Sequence, residues 1–316
     1  PELFPGERRR AVANSLRQGF QLVALIVSLA LTPVLTTQVF GTEETTEGFA
    51  TTALIYAVVA CVAIVVMATG ARENPAHSES PRSRFLPTVL SVLRNRLFWQ
   101  IGIASACYLS AMALVLAGVQ LYVRYSLGLP VAYAFYLQGA VIAVSAGGLV
   151  VWTRVVARRG AAWAWRAAFL VLALSFVPLF LATSLWTALP AGLLLGAGWS
   201  GMLATNDLVI ARVLDHDAHV HGQHREALFL SAFGVLGRLN GALGGLALAS
   251  LGFFFGYYSG AQPGANPGLA FRVYLCAYPF LLATAGAVLA RFIRVPEDTA
   301  RTVRVDPVPP ATGGVP

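Results

Sequence analysis

The stretch DHDAHVHGQHREALF runs from Asp215 to Phe229 and holds His216, His219, His221 and His224, four of the five histidines in the chain, with Asp215 and Asp217 among them. Imidazole and carboxylate ligate transition metals, and imidazole exchanges protons near pH 6.5. A zinc site needs three or four ligands fixed in geometry, each oriented by a further hydrogen-bonding partner. The histidines lie three, five and eight residues from His216 with no cysteine nearby. That spacing matches no zinc signature, and no metal is expected. Neither a serine–histidine–acid set, a phosphate loop nor a paired-glutamate site stands out, so an enzyme is not expected. What the stretch does depends on the elements that carry it.

Composition narrows those elements. Of 316 residues, 57% are hydrophobic and only 11% charged, about half the charge of a typical soluble domain. The chain therefore reads as a membrane protein. Its basic residues are 22 arginines, and there is no lysine. They are spread between long apolar runs, without the basic stripe and interleaved aromatics of a nucleic-acid surface. Cys61, Cys107 and Cys276 are isolated in apolar runs and predict neither disulfides nor a zinc knuckle.

A bilayer core of roughly 30 Å needs about 20 apolar residues in a helix. Eight runs qualify, near 14–38, 50–70, 97–122, 131–151, 163–183, 186–210, 228–256 and 269–292. Lipid leaves no water for exposed peptide groups, so these are expected as helices. Connections rich and poor in arginine alternate: Arg8–Arg10, then none in 39–49; five arginines in 71–96, then only Arg124; Arg154, Arg158 and Arg159, then none near Ser184; Arg212 and Arg225, then none in 257–268; then the arginines of the tail. The positive-inside rule puts both termini in the cytoplasm, and a multi-pass protein of the plasma (inner) membrane is expected. The histidine stretch becomes a cytoplasmic loop between the sixth and seventh spans. Within 71–96, Phe85 to Leu93 is expected as a short helix on the membrane surface. Residues 296–316 have too little apolar area to fold and are expected to be disordered.

The long connection divides the spans two and six. That predicts residues 1–70 as the end of an N-terminal half, 71–96 as a central loop and 97–295 as a six-helix C-terminal half, the plan of twelve-helix carriers with four helices missing. Ala211 to Phe229 resembles the segment after helix X in the glycoside–pentoside–hexuronide:cation symporters, the melibiose-permease branch of the major facilitator superfamily. Ala211, Val213, Asp215, Asp217, Gly222, Arg225, Glu226, Leu228 and Phe229 agree with that family's pattern. Arg212 and Ala218 depart from it, standing where the family has acids, and the histidines fill its aromatic, basic and polar positions. PELFPGERRRAVANSLRQGF is similar to the family's approach to helix V, through Asn14, Ser15, Arg17 and Phe20. Arg238 stands where the family commonly has a lysine on helix XI.

The resemblance implies an all-α major-facilitator fold of which eight of twelve helices, V to XII, are visible. It implies cation symport of a small polar solute, a sugar or glycoside, by alternating access. The coupling cation, Na+ or H+, would be held by acids on helices II and IV, which precede this chain; no other cofactor is expected. Candidate solute contacts are Arg17, which matches an arginine bordering the family's sugar site, and Arg238, about 18 Å into its helix. An intramembrane charge is costly and usually faces a polar cavity. Asp207 joins them, with Arg238, Arg212 or a proton as partner. Trp199 could stack on a sugar ring, and Asn240 lies beside Arg238; Tyr108, Gln120 and Gln138 are further polar candidates. Asp215, Asp217, Arg225, Glu226 and Arg212 are expected to latch the cytoplasmic face by salt bridges made in one conformation only. Two other readings stand beside this: a major-facilitator carrier of a lipid or other amphiphile, and an intramembrane metalloprotein built on the 215–226 loop.

Overall fold

The computed structural model describes residues 7–35, 39–40, 47–70, 94–221, 226–258 and 262–293. Among them the regular elements are helices: α1 (Glu7–Val34), α2 (Glu47–Gly70), α3 (Arg96–Leu121), α4 (Ala134–Arg159), α5 (Ala161–Leu181), α6 (Leu185–His221), α7 (Glu226–Phe255) and α8 (Pro267–Phe292). α3 continues into a π-turn at Tyr122–Ser126, and α8 contains another at Val273–Ala277. Seven helices, α2 to α8, are long and apolar enough to cross a membrane. α1, with 28 residues, spans about 42 Å at 1.5 Å per residue and has the length as well.

The spans fall where the apolar runs predict, but several connections do not. α4 continues to Arg159 and α5 begins at Ala161, so the connection expected over 152–162 is one glycine, Gly160, at φ 80°. That left-handed conformation costs glycine little. Arg154, Arg158 and Arg159 are helical. Arginine does not end a helix: its long stem reaches from the last turns to water, and its charge suits the helix C-terminus. α6 likewise runs through His221, so Arg212, Asp215 and Asp217 sit on a helix rather than in the expected loop. α1 starts at Glu7 and takes in Arg8, Arg9 and Arg10. The surface helix expected at Phe85–Leu93 and the tail from Pro296 lie outside the described residues.

α6 is the hub. α4 and α5 pack on it, α1 crosses α4 and α6, and α8 joins α5 to α3, which carries α7. Lipid gives helices no hydrophobic reason to associate, so close backbone approach and interhelical hydrogen bonds do the work. The glycines of GAGWSG allow that approach. A Cβ on Gly196 would press into the Val141 carbonyl of α4, and one on Gly198 would stand 2.6 Å from the Leu172 Cα of α5. Ser145 donates to the Gly196 carbonyl at 3.1 Å, and Trp152 Nε1 to the Ala197 carbonyl at 2.9 Å. Trp165, Phe169, Leu172 and Phe176 of α5 are buried against α6 and its neighbours.

Helix ends are closed by side chains. Arg166 of α5 donates to the Ala290 and Ile293 carbonyls at 2.9 and 2.6 Å, capping α8. Asn95 caps α3, its Oδ1 accepting from the Leu97 and Phe98 amides at 3.0 and 3.3 Å. Asn95→Ala is expected to cost about 1 kcal/mol, read as a fall of a few degrees in thermal unfolding of the detergent-solubilised protein.

Candidate functional site

α1 has two faces. Asn14, Arg17, Gln18 and Gln21 recur at helical spacing on one side, and Val12, Leu16, Phe20 and Val23 lie on the other. The polar side meets α6. The Arg17 guanidinium forms an ion pair with the Asp207 carboxylate. Gln18 Nε2 donates to the same Asp207 oxygen at 3.2 Å. Asn14 braces the arrangement: its Oδ1 accepts from Arg17 at 3.2 Å, and its Nδ2 donates to the Leu203 carbonyl of α6 at 3.1 Å. Beside Asp207, the Asn206 amide oxygen accepts from the Ser105 hydroxyl of α3 at 2.8 Å. One turn along α3, buried Tyr108 faces Trp199 and lies within the field of Asp207.

Three helices thus bring one cation, one carboxylate and several neutral donors and acceptors to a single place. Asp207 lies five residues before Arg212 and eight before Asp215, the charges that close the apolar run of α6, or about 8–12 Å along the helix. The pair is open, with Arg17 and Asp207 side chains 64% and 38% exposed. In water an exposed pair contributes only about 0–1 kcal/mol, so this one is easily exchanged for another partner. Gln18 is the opposite case. It is only 6% exposed, and its Oε1 has no hydrogen-bond partner. A buried unsatisfied acceptor costs about 1–3 kcal/mol, which a donor such as a hydroxyl would recover. A guanidinium offers paired donors to vicinal hydroxyls or a carboxylate.

A family model of the MFS/sugar transport proteins matches residues 2–297. The chain belongs to that family. It is an integral, multi-pass membrane protein and a secondary transporter of the major facilitator type, with the all-α architecture expected. No match was found among curated proteins.

In this transporter the residues singled out in the sequence separate into groups. Arg17 and Asp207 come together, although Asp207 was expected to meet Arg238, Arg212 or a proton. The two are 190 residues apart in sequence, and hydropathy carries no record of which helices become neighbours. Arg238 is exposed on α7 and has no hydrogen bond or ion pair with the described residues. Half-buried Asn240 likewise makes no side-chain hydrogen bond among them. The structure therefore does not bring these two into the Arg17–Asp207 cluster. Trp199 is buried on α6 and lines a narrow apolar cavity of about 30 Å³ with Met112 and Gln138, room for a water or two. Gln120 is exposed on α3. Arg212 is half-buried and engaged.

The side chains of Asp215, Asp217, Arg225 and Glu226, and of the four clustered histidines, lie outside the described residues. Among the described residues no group of three or more histidine, cysteine, aspartate or glutamate side chains could hold a metal ion. Gln18 and Ser105 were not singled out in the sequence. A glutamine next to an arginine in an apolar run was the available signal for Gln18; Ser105 gave none.

Proposed function

We propose that the protein carries a sugar or glycoside across the plasma membrane together with Na+ or H+, by alternating access, with both termini in the cytoplasm. The Arg17–Asp207 pair, with the unsatisfied Gln18 Oε1 beside it, carries this reading. Arg17 exchanges between Asp207 when the site is empty and solute hydroxyls when it is filled. Gln18 Oε1 accepts from one of those hydroxyls. α1 and α6 stand on opposite sides of the division between the two halves expected from the sequence. The exchange therefore couples solute occupancy to the contact between halves, the step that rocking requires. The end of α6, with Asp215 and Asp217, closes the arginine-rich face against Arg225 and Glu226. The resemblance assigns the cation to carboxylates on helices II and IV of that family's plan.

The test is uptake of labelled glycosides into membrane vesicles containing the full-length protein, driven by an imposed Na+ or pH gradient. Accumulation that an ionophore collapses is the expected result. If no solute moves under either gradient, symport is refuted.

A further inference from the structure

We infer that a groove between α1 and α4 holds one acyl chain of an anionic phospholipid, with Arg154 taking the headgroup phosphate. The groove has a volume of about 660 Å³, and Val12, Leu16, Phe20, Val150 and Arg154 are among the residues lining it. It lies away from the solute site. Around α1, the side chains that line it point roughly half a turn from Asn14, Arg17 and Gln18, which face α6.

Register fixes its depth. The Ser15 and Thr153 hydroxyls hydrogen-bond at 2.6 Å, which places the Arg154 turn of α4 beside the first turns of α1. The α1 lining runs from Ala11 to Val23, thirteen residues whose ends are about 18 Å apart along the helix. One leaflet of the hydrocarbon core is about 15 Å deep, so the groove matches a single leaflet. Its charge sits at the correct end. Arg154 is exposed on the groove wall, and no carboxylate among the described residues pairs with it. Five residues further, Arg159 lies 4.5 Å over the Trp163 ring, a pairing of arginine and tryptophan suited to the membrane–water boundary. Apart from the Ser15–Thr153 rung, the lining inward of Arg154 is apolar or glycine. A sugar would leave its hydroxyls unpaired there, whereas a lipid chain would not.

The test places the full-length transporter in bilayers of phosphatidylcholine with phosphatidylglycerol, then counts retained lipids by native mass spectrometry after gentle extraction. Phosphatidylglycerol is expected to be retained about tenfold in preference to phosphatidylcholine. Arg154→Gln should abolish the preference, and Arg154→Lys should keep most of it. Arg291→Gln, at the same end but off the groove, should leave it unchanged. Ala146→Trp blocks the inner end of the groove and should lose retention of either lipid. If that variant fails to fold, Gly19→Leu serves, because its Cβ enters open space. Equal retention of the two lipids, an unaltered preference in Arg154→Gln, or displacement of the lipid by inorganic phosphate alone would each overturn the inference.

Discussion

Arg17→Gln in the full-length transporter is expected to reduce initial solute uptake by about 100-fold, or about 2.7 kcal/mol of transition-state stabilisation, with thermal unfolding shifted by only a few degrees. The two effects separate because the pair is open. An exposed ion pair contributes about 0–1 kcal/mol to stability, and Asp207 keeps Gln18 as a donor after Arg17 is lost. Binding is different: a charge-assisted hydrogen bond contributes about 1.5–3 kcal/mol, and Arg17 supplies the paired donors. Arg17→Lys keeps the charge but loses the fork. It should raise KM about tenfold with less effect on the maximal rate. Asp207→Asn frees Arg17 from its resting partner, so solute binding should tighten while turnover falls. The double variant Arg17→Gln/Asp207→Asn separates a pure latch from a binding group. Two neutral side chains relax a latch and restore movement between conformations, so recovered uptake would mean that Arg17 never touches solute. Uptake as low as in Arg17→Gln alone is the expected outcome, measured as initial rates over a range of solute concentrations.

The helices were legible in the sequence because lipid demands long apolar runs, and α2, α3, α5, α7 and α8 begin and end close to those runs. The ends of α4 and α6 were misread for one reason. Arginine in the sequence marks the end of an apolar run and not the end of a helix: Arg154, Arg158, Arg159 and Arg212 occupy helical turns from which their stems can reach water. The site was half legible. Arg17 and Asp207 each stand out as a charge in an apolar run, and an intramembrane charge signals function by default. Their pairing depends on α1 crossing α6, a lateral contact to which periodicity along the chain is blind. Arg238 shows the converse. It has the same sequence signature as Arg17, yet it is exposed on α7 and makes no hydrogen bond or ion pair with the described residues. The small residues of GAGWSG were visible as a motif, but which glycine faces which neighbour emerges only once α6 is seen between α4 and α5.

That arrangement makes Gly198→Ala and Gly196→Ala substitutions expected to damage stability strongly. Overpacking a filled interior typically costs about 1–3 kcal/mol. Here the obstacles are backbone atoms, the Val141 carbonyl for Gly196 and the Leu172 Cα and amide nitrogen for Gly198, which cannot rotate aside as a side chain can. Each single variant should therefore lie at the upper part of that range. Gly147→Ala, on α4, is the control. Its Cβ meets nothing within 4 Å, and alanine's better helix propensity should leave stability unchanged or raised by up to about 1 kcal/mol. Thermal unfolding of the purified protein in one detergent compares all three. The double variant is the sharper measurement. Gly196 and Gly198 point about 200° apart around α6, so α6 can relieve one added methyl only by moving toward the other obstacle. Each single variant escapes part of its clash by that shift, and the double variant has no direction left to move. Its destabilisation should exceed the sum of the singles, with a coupling of about 0.5–3 kcal/mol, as found for residues sharing a backbone shift. Simple additivity would mean that α4 and α5 separate from α6 independently, and that α6 is not clamped between them.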